Sequence, residues 1–381
     1  MIRLLHITID DKFFDSIYQK FDEDDRIENS AICLVNDRFK KFKYIKNINN
    51  VIPLTGKAQI KNFLKNNVYD VIYFHSLHAR HWWIINHIPK DKKIIWWAWG
   101  YDLYYGWRGS IPHINIALLK PITRIFVKDD RNIVRRGLEF LFFKFISGPL
   151  LTRKFKKDIV KRINYFQPVL HIEYELMKQY KGFTAKEFYY PSKTLVCTNI
   201  NFMRNKILVG NSGTPSNNHL DIMKKISRYN IDLKRVIIPI NYGDKVYIKN
   251  LTMELEKNYS SVNLIKDFMS KDSYFDMISS CSHAIFGVMR QQAMGNIYRM
   301  LMDGVKIFLY KDSIPYQYLT SVGFRIYTIE DMTFESISTP LSEDEIETNR
   351  QIHIKEQFHK NNIYNNVIDE INKYLDRKNL D

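Results

Sequence analysis

The sequence predicts an α/β protein of two doubly wound domains, each a parallel sheet wrapped in helices. Short apolar runs alternate with helical patterns along nearly the whole chain, as parallel sheets built from crossover units require. At 381 residues the chain exceeds one ordinary core and fits two domains of roughly 150–200 residues. The alternation breaks between Pro191 and Lys206 and restarts with a strong strand. Domains are therefore expected at 1–195 and 196–381.

In the first half, apolar runs predict strands at Arg3–Ile9, Ser30–Val35, Asp70–His75, Lys93–Trp99 and Glu187–Tyr190. Helical patterns fall near Lys12–Phe21, Lys57–Asn66, Ala79–His87 and His113–Phe145. In the second half the strands are Lys206–Val209, Arg235–Pro239, Val262–Ile265, His283–Phe286 and Lys306–Tyr310. Its helices are His219–Tyr229, Lys245–Asn258, Lys271–Ser280, Gln292–Asp303 and Ser342–Tyr374, the last able to pack back across the first domain. No internal repeat or low-complexity segment interrupts this plan.

Composition narrows the class. Hydrophobic content of 45% is that of a globular chain. Cys33, Cys197 and Cys281 lie far apart with no C-x-x-C pair, against a disulfide framework or zinc site and in favour of a reducing cytoplasm. Residues Met1 to Asp11 read as a core strand rather than an export signal. The most apolar window, Phe140 to Leu151, falls short of the ~20 apolar residues a membrane span needs.

Net charge is +16, and the excess is uneven. From Leu118 to Tyr165 there are 13 Lys/Arg against 4 acids, a local net of +9, interleaved with phenylalanines. That mixture suits either an anionic membrane surface or a solvated basic helix with its apolar face in the core. A nucleic-acid-binding protein would also be basic and aromatic, but no recognised module is present and the charge sits in one segment. No nucleic-acid partner is expected.

Two polar, glycine-bearing turns dominate the second half. Phe286-Gly287-Val288-Met289-Arg290-Gln291-Gln292-Ala293-Met294-Gly295-Asn296 runs from a strand into a helix start. Such a start offers unpaired N–H groups and the positive end of the macrodipole, and Arg290, Gln291, Gln292, Gly295 and Asn296 gather on it, as a diphosphate site needs. Upstream, Gly210-Asn211-Ser212-Gly213 leaves the Lys206–Val209 strand and either shapes a donor pocket or makes a plain capped turn. It is neither a Walker loop nor a G-x-G-x-x-G fingerprint. Pro239, Tyr242 and Phe268 end the next two strands and either wall a base ring or pack the core.

In the first half Trp96-Trp97-Ala98-Trp99-Gly100-Tyr101-Asp102-Leu103-Tyr104 leads on to Arg108. Trp99, Gly100, Tyr104 and Arg108 suit an acceptor sugar, because aromatic faces stack on sugars while polar tips reach hydroxyls. Asp102 is either a general base or an N-cap. His75, at the neighbouring strand end, is either a base or a hydrogen-bonded structural histidine. His75 and His78 lack the partners of a zinc site, and Asp10-Asp11 and Asp129-Asp130 lack D-x-D spacing, so a site without metal or other cofactor is expected.

Together these motifs resemble the dTDP-N-acetylfucosamine:lipid II N-acetylfucosaminyltransferases, glycosyltransferase family 56. The likeness is carried by Trp99 to Tyr104, by Ile207 to Gly213 with Ser216, Asn217 and His219, by Pro239 with Tyr242, and by Arg290 to Gln292 with Gly295. It spans most of the chain from Tyr73 to Tyr310. The resemblance implies a GT-B fold, with two Rossmann-like domains facing a central cleft. It further implies a dTDP-activated 4-amino-6-deoxy sugar donor and a polyprenyl-diphosphate-linked glycan acceptor. The setting would be enterobacterial common antigen or O-antigen assembly at the cytoplasmic face of the inner membrane. Another GT-B enzyme using a UDP- or GDP-sugar, or a sugar-nucleotide-binding subunit without catalysis, are the other readings.

Overall fold

The computed structural model of the chain describes residues 1–35, 42–46, 48–77, 81–104, 116–127, 153–192 and 204–378. These residues form two compact units. The first comprises Met1–Asn115, Arg131–Lys193 and Gln357–Asp381, the second Ile116–Asp130 and Thr194–Glu356. The linear division at 195 is thus crossed twice. One short segment of the first half belongs with the second unit, and the end of the last helix, Glu343–Lys378, belongs with the first.

The first unit holds seven strands: β1 (Ile2–Thr8), β2 (Ile27–Val35), β3 (Val51–Thr55), β4 (Val71–Phe74), β5 (Lys93–Trp97), β6 (Tyr165–Gln167) and β7 (Lys186–Glu187). Their order is β3-β2-β1-β4-β5-β6-β7, and every pairing is parallel. β4 is buried at every position, as expected of a strand covered on both faces. The core joins Leu4, Phe21, Tyr73, Trp97 and Phe188 to Tyr364 and Ile368 of the last helix. Arg26 ties this helix down through Asp369 at 3.1 Å, while the Tyr364 hydroxyl donates to Asp24 at 2.6 Å.

The second unit has six: β8 (Lys206–Val209), β9 (Val236–Pro239), β10 (Asn263–Ile265), β11 (Cys281–Phe286), β12 (Lys306–Leu309) and β13 (Tyr327–Thr328). The order is β10-β9-β8-β11-β12-β13, again parallel throughout. Ile116, Leu118, Ile122 and Phe126 of the early segment pack against its core. Asp221 accepts from Ile122 N at 2.9 Å and Thr123 N at 2.8 Å, capping the helix Pro121–Phe126. The order of strands reverses between β1 and β4 in one sheet and between β8 and β11 in the other. Ligands of open parallel sheets collect beyond the carboxyl ends of the strands at such points.

No helix among the described residues is long and apolar enough to cross a membrane. The basic stretch Leu118–Tyr165 lies outside the described residues at 128–152.

Candidate functional site

The switch point of the second sheet brings the two glycine-bearing turns together. Gly210 follows β8 with φ +70°, and a Cβ there would lie 2.7 Å from the buried His219 ring. Its N–H donates to Ile285 O of β11 at 2.9 Å, so the turn leaves the sheet directly beside the loop after β11. Gly213 N donates to Tyr242 O at 2.7 Å, and Asp244 N to Gly213 O at 3.0 Å. These bonds zip the loops after β8 and β9 together. Gly243 makes this approach with φ +140°, where a Cβ would sit 2.3 Å from the Gly213 oxygen.

Two consecutive asparagines, both fully buried, lock the arrangement. Asn217 Nδ2 donates to Ser212 O and to Thr214 Oγ1, both at 2.9 Å, while its Oδ1 accepts from Asn211 N at 3.1 Å. Asn218 adopts the left-handed conformation, φ 51°, and donates to Gly287 O at 2.6 Å and Leu118 O at 3.1 Å. Gln292 crosses from the other loop. It accepts from Ser216 Oγ at 2.8 Å and donates to Asn211 Oδ1 at 3.3 Å.

The amide of Gln292 therefore holds the two loops to each other, which makes it a positioning group. Arg290 is half-buried and donates through Nη1 to Gln291 O at 2.7 Å; Gln291 is 8% exposed. Ala293 stands at φ +60°, a conformation uncommon for a residue with a Cβ and most frequent at turns and functional sites. It launches the helix Met294–Met302, whose first-turn amides have no intrahelical acceptor. Gly295 in that turn faces open space, with nothing within 4 Å of a Cβ. Asn296 donates to Tyr274 OH at 2.7 Å.

Tyr242 is 43% exposed, its hydroxyl accepting from Asn211 Nδ2 at 3.2 Å, and Phe268 beyond β10 is 83% exposed. Pro239 differs: as the last residue of β9 it is buried in the sheet and packs as core. Among the described residues no group of three or more His, Cys, Asp or Glu is placed to hold a metal ion.

The switch point of the first sheet is aromatic. Trp99, half-buried, lies 4.6 Å from Trp97 and 4.9 Å from Phe13, and its indole N–H donates to His75 O. Gly100 opens the short helix Gly100–Leu103. Asp102 is its N3 residue, 2% exposed. Its Oδ2 accepts from Leu77 N at 3.0 Å, Trp96 Nε1 at 3.1 Å and Trp99 N at 3.2 Å, so Asp102 is not the N-cap, which is Trp99, but bonds back to it from the first turn, and the carboxylate also staples the loops after β4 and β5. Its Oδ1 is buried and has no hydrogen-bond partner among the described residues. Burial pushes the carboxyl up to about 7, against the pull of those three donors.

His75 is 2% exposed, and its Nε2 lies 2.9 Å from Nδ1 of the buried His6. Burial and the neighbouring His6 hold its pKa well below the usual histidine value, so the ring is neutral. Tyr104 is not at a surface. Its ring is buried and its hydroxyl donates to Glu173 at 2.8 Å, because Glu173 needs a partner inside the fold. Arg108 and His78 lie outside the described residues.

Sequence reasoning missed His6, Asn29 and Phe13, and used Asn217 as one of the residues that carry the family likeness, without its locking role. The double asparagine beside a glycine turn was the available signal for the last; His6 carried none.

The family of 4-alpha-L-fucosyltransferases, glycosyl transferase group 56, matches residues 161–367. Solved structures share the architecture at low identity. The sucrose-phosphate synthase from Thermosynechococcus elongatus is 6% identical with TM-score 0.57, over 100% of this chain and 99% of its own. AviGT4, a glycosyltransferase involved in avilamycin A biosynthesis, is 10% identical with TM-score 0.52, over 98% of each chain. An α-glucosyltransferase solved with UDP and a 13-mer DNA is 11% identical with TM-score 0.53, over 95% of this chain and 99% of its own. These likenesses show the GT-B fold. The matched family span is more than half the chain and takes in both loops of the β8–β11 switch point, and on that ground the chain belongs to the 4-alpha-L-fucosyltransferase family, glycosyl transferase group 56, and is a glycosyltransferase.

Proposed function

We propose that this glycosyltransferase moves a 4-acetamido-4,6-dideoxy sugar of the N-acetylfucosamine type from a dTDP donor to a polyprenyl-diphosphate-linked glycan. The setting proposed is bacterial surface polysaccharide assembly, enterobacterial common antigen or O-antigen. The observation that carries the donor half is the joining of the β8 and β11 loops through Gln292, Ser216 and Asn211. On this reading Arg290, Gln291 and the amides at Gly295 and Asn296 grip the diphosphate, and Tyr242 and Phe268 flank the base. Ser212 and Gly213 line the sugar pocket.

The acceptor hydroxyl approaches Trp99, Gly100 and Arg108, and Asp102 takes its proton. A carboxyl titrating near 7 is matched to that task at neutral pH, whereas a histidine held well below its usual value is a weak base. The oxygen attacks the anomeric carbon, the glycosyl–phosphate bond breaks, and dTDP leaves with its developing charge neutralised by Arg290 and the helix start. The +9 of Leu118–Tyr165 supports a peripheral location on anionic lipid at the cytoplasmic face of the inner membrane.

A UDP-sugar donor is the second reading, since the α-glucosyltransferase with the same fold was solved with UDP. A thermal-shift panel of dTDP, UDP, GDP and CMP separates them. The largest stabilisation is expected from dTDP; a larger one from UDP overturns the dTDP assignment.

A further inference from the structure

A buried chain of hydrogen bonds crosses the first sheet at its switch point. Asn29 on β2, His6 on β1 and His75 just beyond β4 are linked through His6 Nε2 to Asn29 Oδ1 at 3.1 Å and His6 Nδ1 to His75 Nε2 at 2.9 Å. Its protons can be placed. Asn29 Nδ2 lies 3.3 Å from the Tyr18 carbonyl oxygen, so the amide nitrogen faces that acceptor and Oδ1 faces His6. His6 Nε2 must then carry the hydrogen it donates to Asn29.

Burial holds the His6 pKa down to about 4, so its ring is neutral and Nδ1 is a bare lone pair. His75 Nε2 must donate to it. The second nitrogen of the neutral His75 ring, Nδ1, is left as a bare acceptor, buried and without a partner among the described residues.

Two buried imidazoles and a half-buried amide are a costly way to fill space between Phe14, Tyr18 and Tyr73, which an apolar side chain would fill without desolvation. An orphaned buried acceptor calls for a donor beyond the described residues, and a bound ligand can supply one. It lies one residue beyond β4, beside Trp99, whose indole is anchored on the His75 carbonyl.

We propose that Asn29 and His6 are positioning residues that fix His75 in its Nε2-protonated tautomer, so that Nδ1 receives a hydrogen bond from a hydroxyl of the acceptor sugar. This rests on the reading that the first unit takes the acceptor. It assigns orientation of the hydroxyl to His75 and proton removal to Asp102, and it gives functions to two residues far from the aromatic cluster in sequence. An orienting partner on a ring nitrogen fixes tautomer in the same way in catalytic triads and metal sites.

The test combines selective 15N-histidine NMR of the full chain with kinetics of dTDP release from a dTDP-sugar in the presence of a polyprenyl-diphosphate-linked glycan as acceptor. In the wild-type protein His75 should show a protonated Nε2 and an unprotonated Nδ1. Asn29→Ala should give mixed tautomers and lower kcat roughly ten-fold or more, with the KM for the donor unchanged. His6→Gln, whose amide can accept from His75 and donate to Asn29, should retain more kcat than His6→Leu. A His75 protonated on Nδ1, or an Asn29→Ala variant with wild-type kcat, overturns the proposal. Should His6→Leu fail to fold, Asn29→Ala still decides it, because that side chain is only half-buried. A wild-type protein that releases no dTDP tells against the donor reading instead, and the NMR tautomer continues to report on the relay.

Discussion

The two switch points share a topology and differ in chemistry. Beyond β8 and β11 the loops are polar, joined through amide side chains and backbone bonds, and lead to a helix start with an arginine beside it. Beyond β1, β4 and β5 the surroundings are aromatic, and two acceptor atoms, Asp102 Oδ1 and His75 Nδ1, are buried without partners among the described residues. The first pattern offers donors and positive charge, the needs of a diphosphate. The second offers acceptors and ring faces, the needs of a sugar hydroxyl. On the proposed function, one fold element repeated in a chain would serve two ligand chemistries through the residues that follow the strands.

The largest effect that sharpens this contrast is expected at Asp102. Asp102→Asn keeps an oxygen for the three donors and removes the proton acceptor, so turnover should fall about 10²- to 10⁴-fold. In the wild-type protein kcat/KM should rise with pH through about 7 and level off above it. Stability carries the opposite sign. The folded carboxyl titrates at about 7 rather than 3.8, so the fold binds the proton more tightly than the unfolded chain. Its contribution is complete at low pH and is lost as pH rises through about 7. The melting temperature of Asp102→Asn should therefore gain on wild type between pH 4 and pH 7; a pH-independent difference removes the buried carboxyl from the account.

The polar switch point breaks differently. Gly243→Ala drives a Cβ to 2.3 Å from the Gly213 oxygen at a φ of +140°, so it should destabilise by roughly 1–3 kcal/mol and loosen the β8–β9 loops. Asn217→Ala leaves Ser212 O and Asn211 N without their side-chain partner, and a loss of about 1–3 kcal/mol is expected. Chemical denaturation measures both. Unchanged midpoints would show that the loops are not held by these groups.

The smallest effect is expected at Gly295, where a Cβ meets nothing within 4 Å. Gly295→Ala should leave the fold unharmed or raise stability by up to about 1 kcal/mol, as alanine does within helices. If a diphosphate seats on that turn, the same change weakens dTDP binding. Calorimetry that finds affinity unchanged places the ligand elsewhere.

Much of this was legible in the sequence, and the reasons for the remainder are physical. The strands β8 to β12 were read to within about two residues at each end because buried parallel strands are continuous apolar runs, as in Lys306–Leu309 and Val236–Pro239. β3 was missed because Pro53 interrupts it, which an edge strand tolerates. β6 and β13, of three and two residues, are too short for a periodic signal. The helix expected at Ala79–His87 is a 3-10 helix at Trp82–His87 among the described residues. At the candidate sites, residue type picked out loops that the structure joins, since Gly210 and Gly213 allow close backbone approach and Asn211 and Gln292 carry amides able to bond across it. Residue type did not reveal partners distant in sequence: Tyr104 finds Glu173, 69 residues on, and His6 finds His75 at the same separation.

The proposed function requires the β8–β11 switch point to bind a nucleotide diphosphate through Arg290. Isothermal titration of dTDP into the wild-type protein and Arg290→Ala, with their melting curves compared first, tests it most directly. The prediction is measurable binding to wild type and at least roughly ten-fold weaker binding to the variant, with unfolding unchanged, as loss of a charge-assisted contact implies. Equal affinity in two equally stable proteins would contradict it.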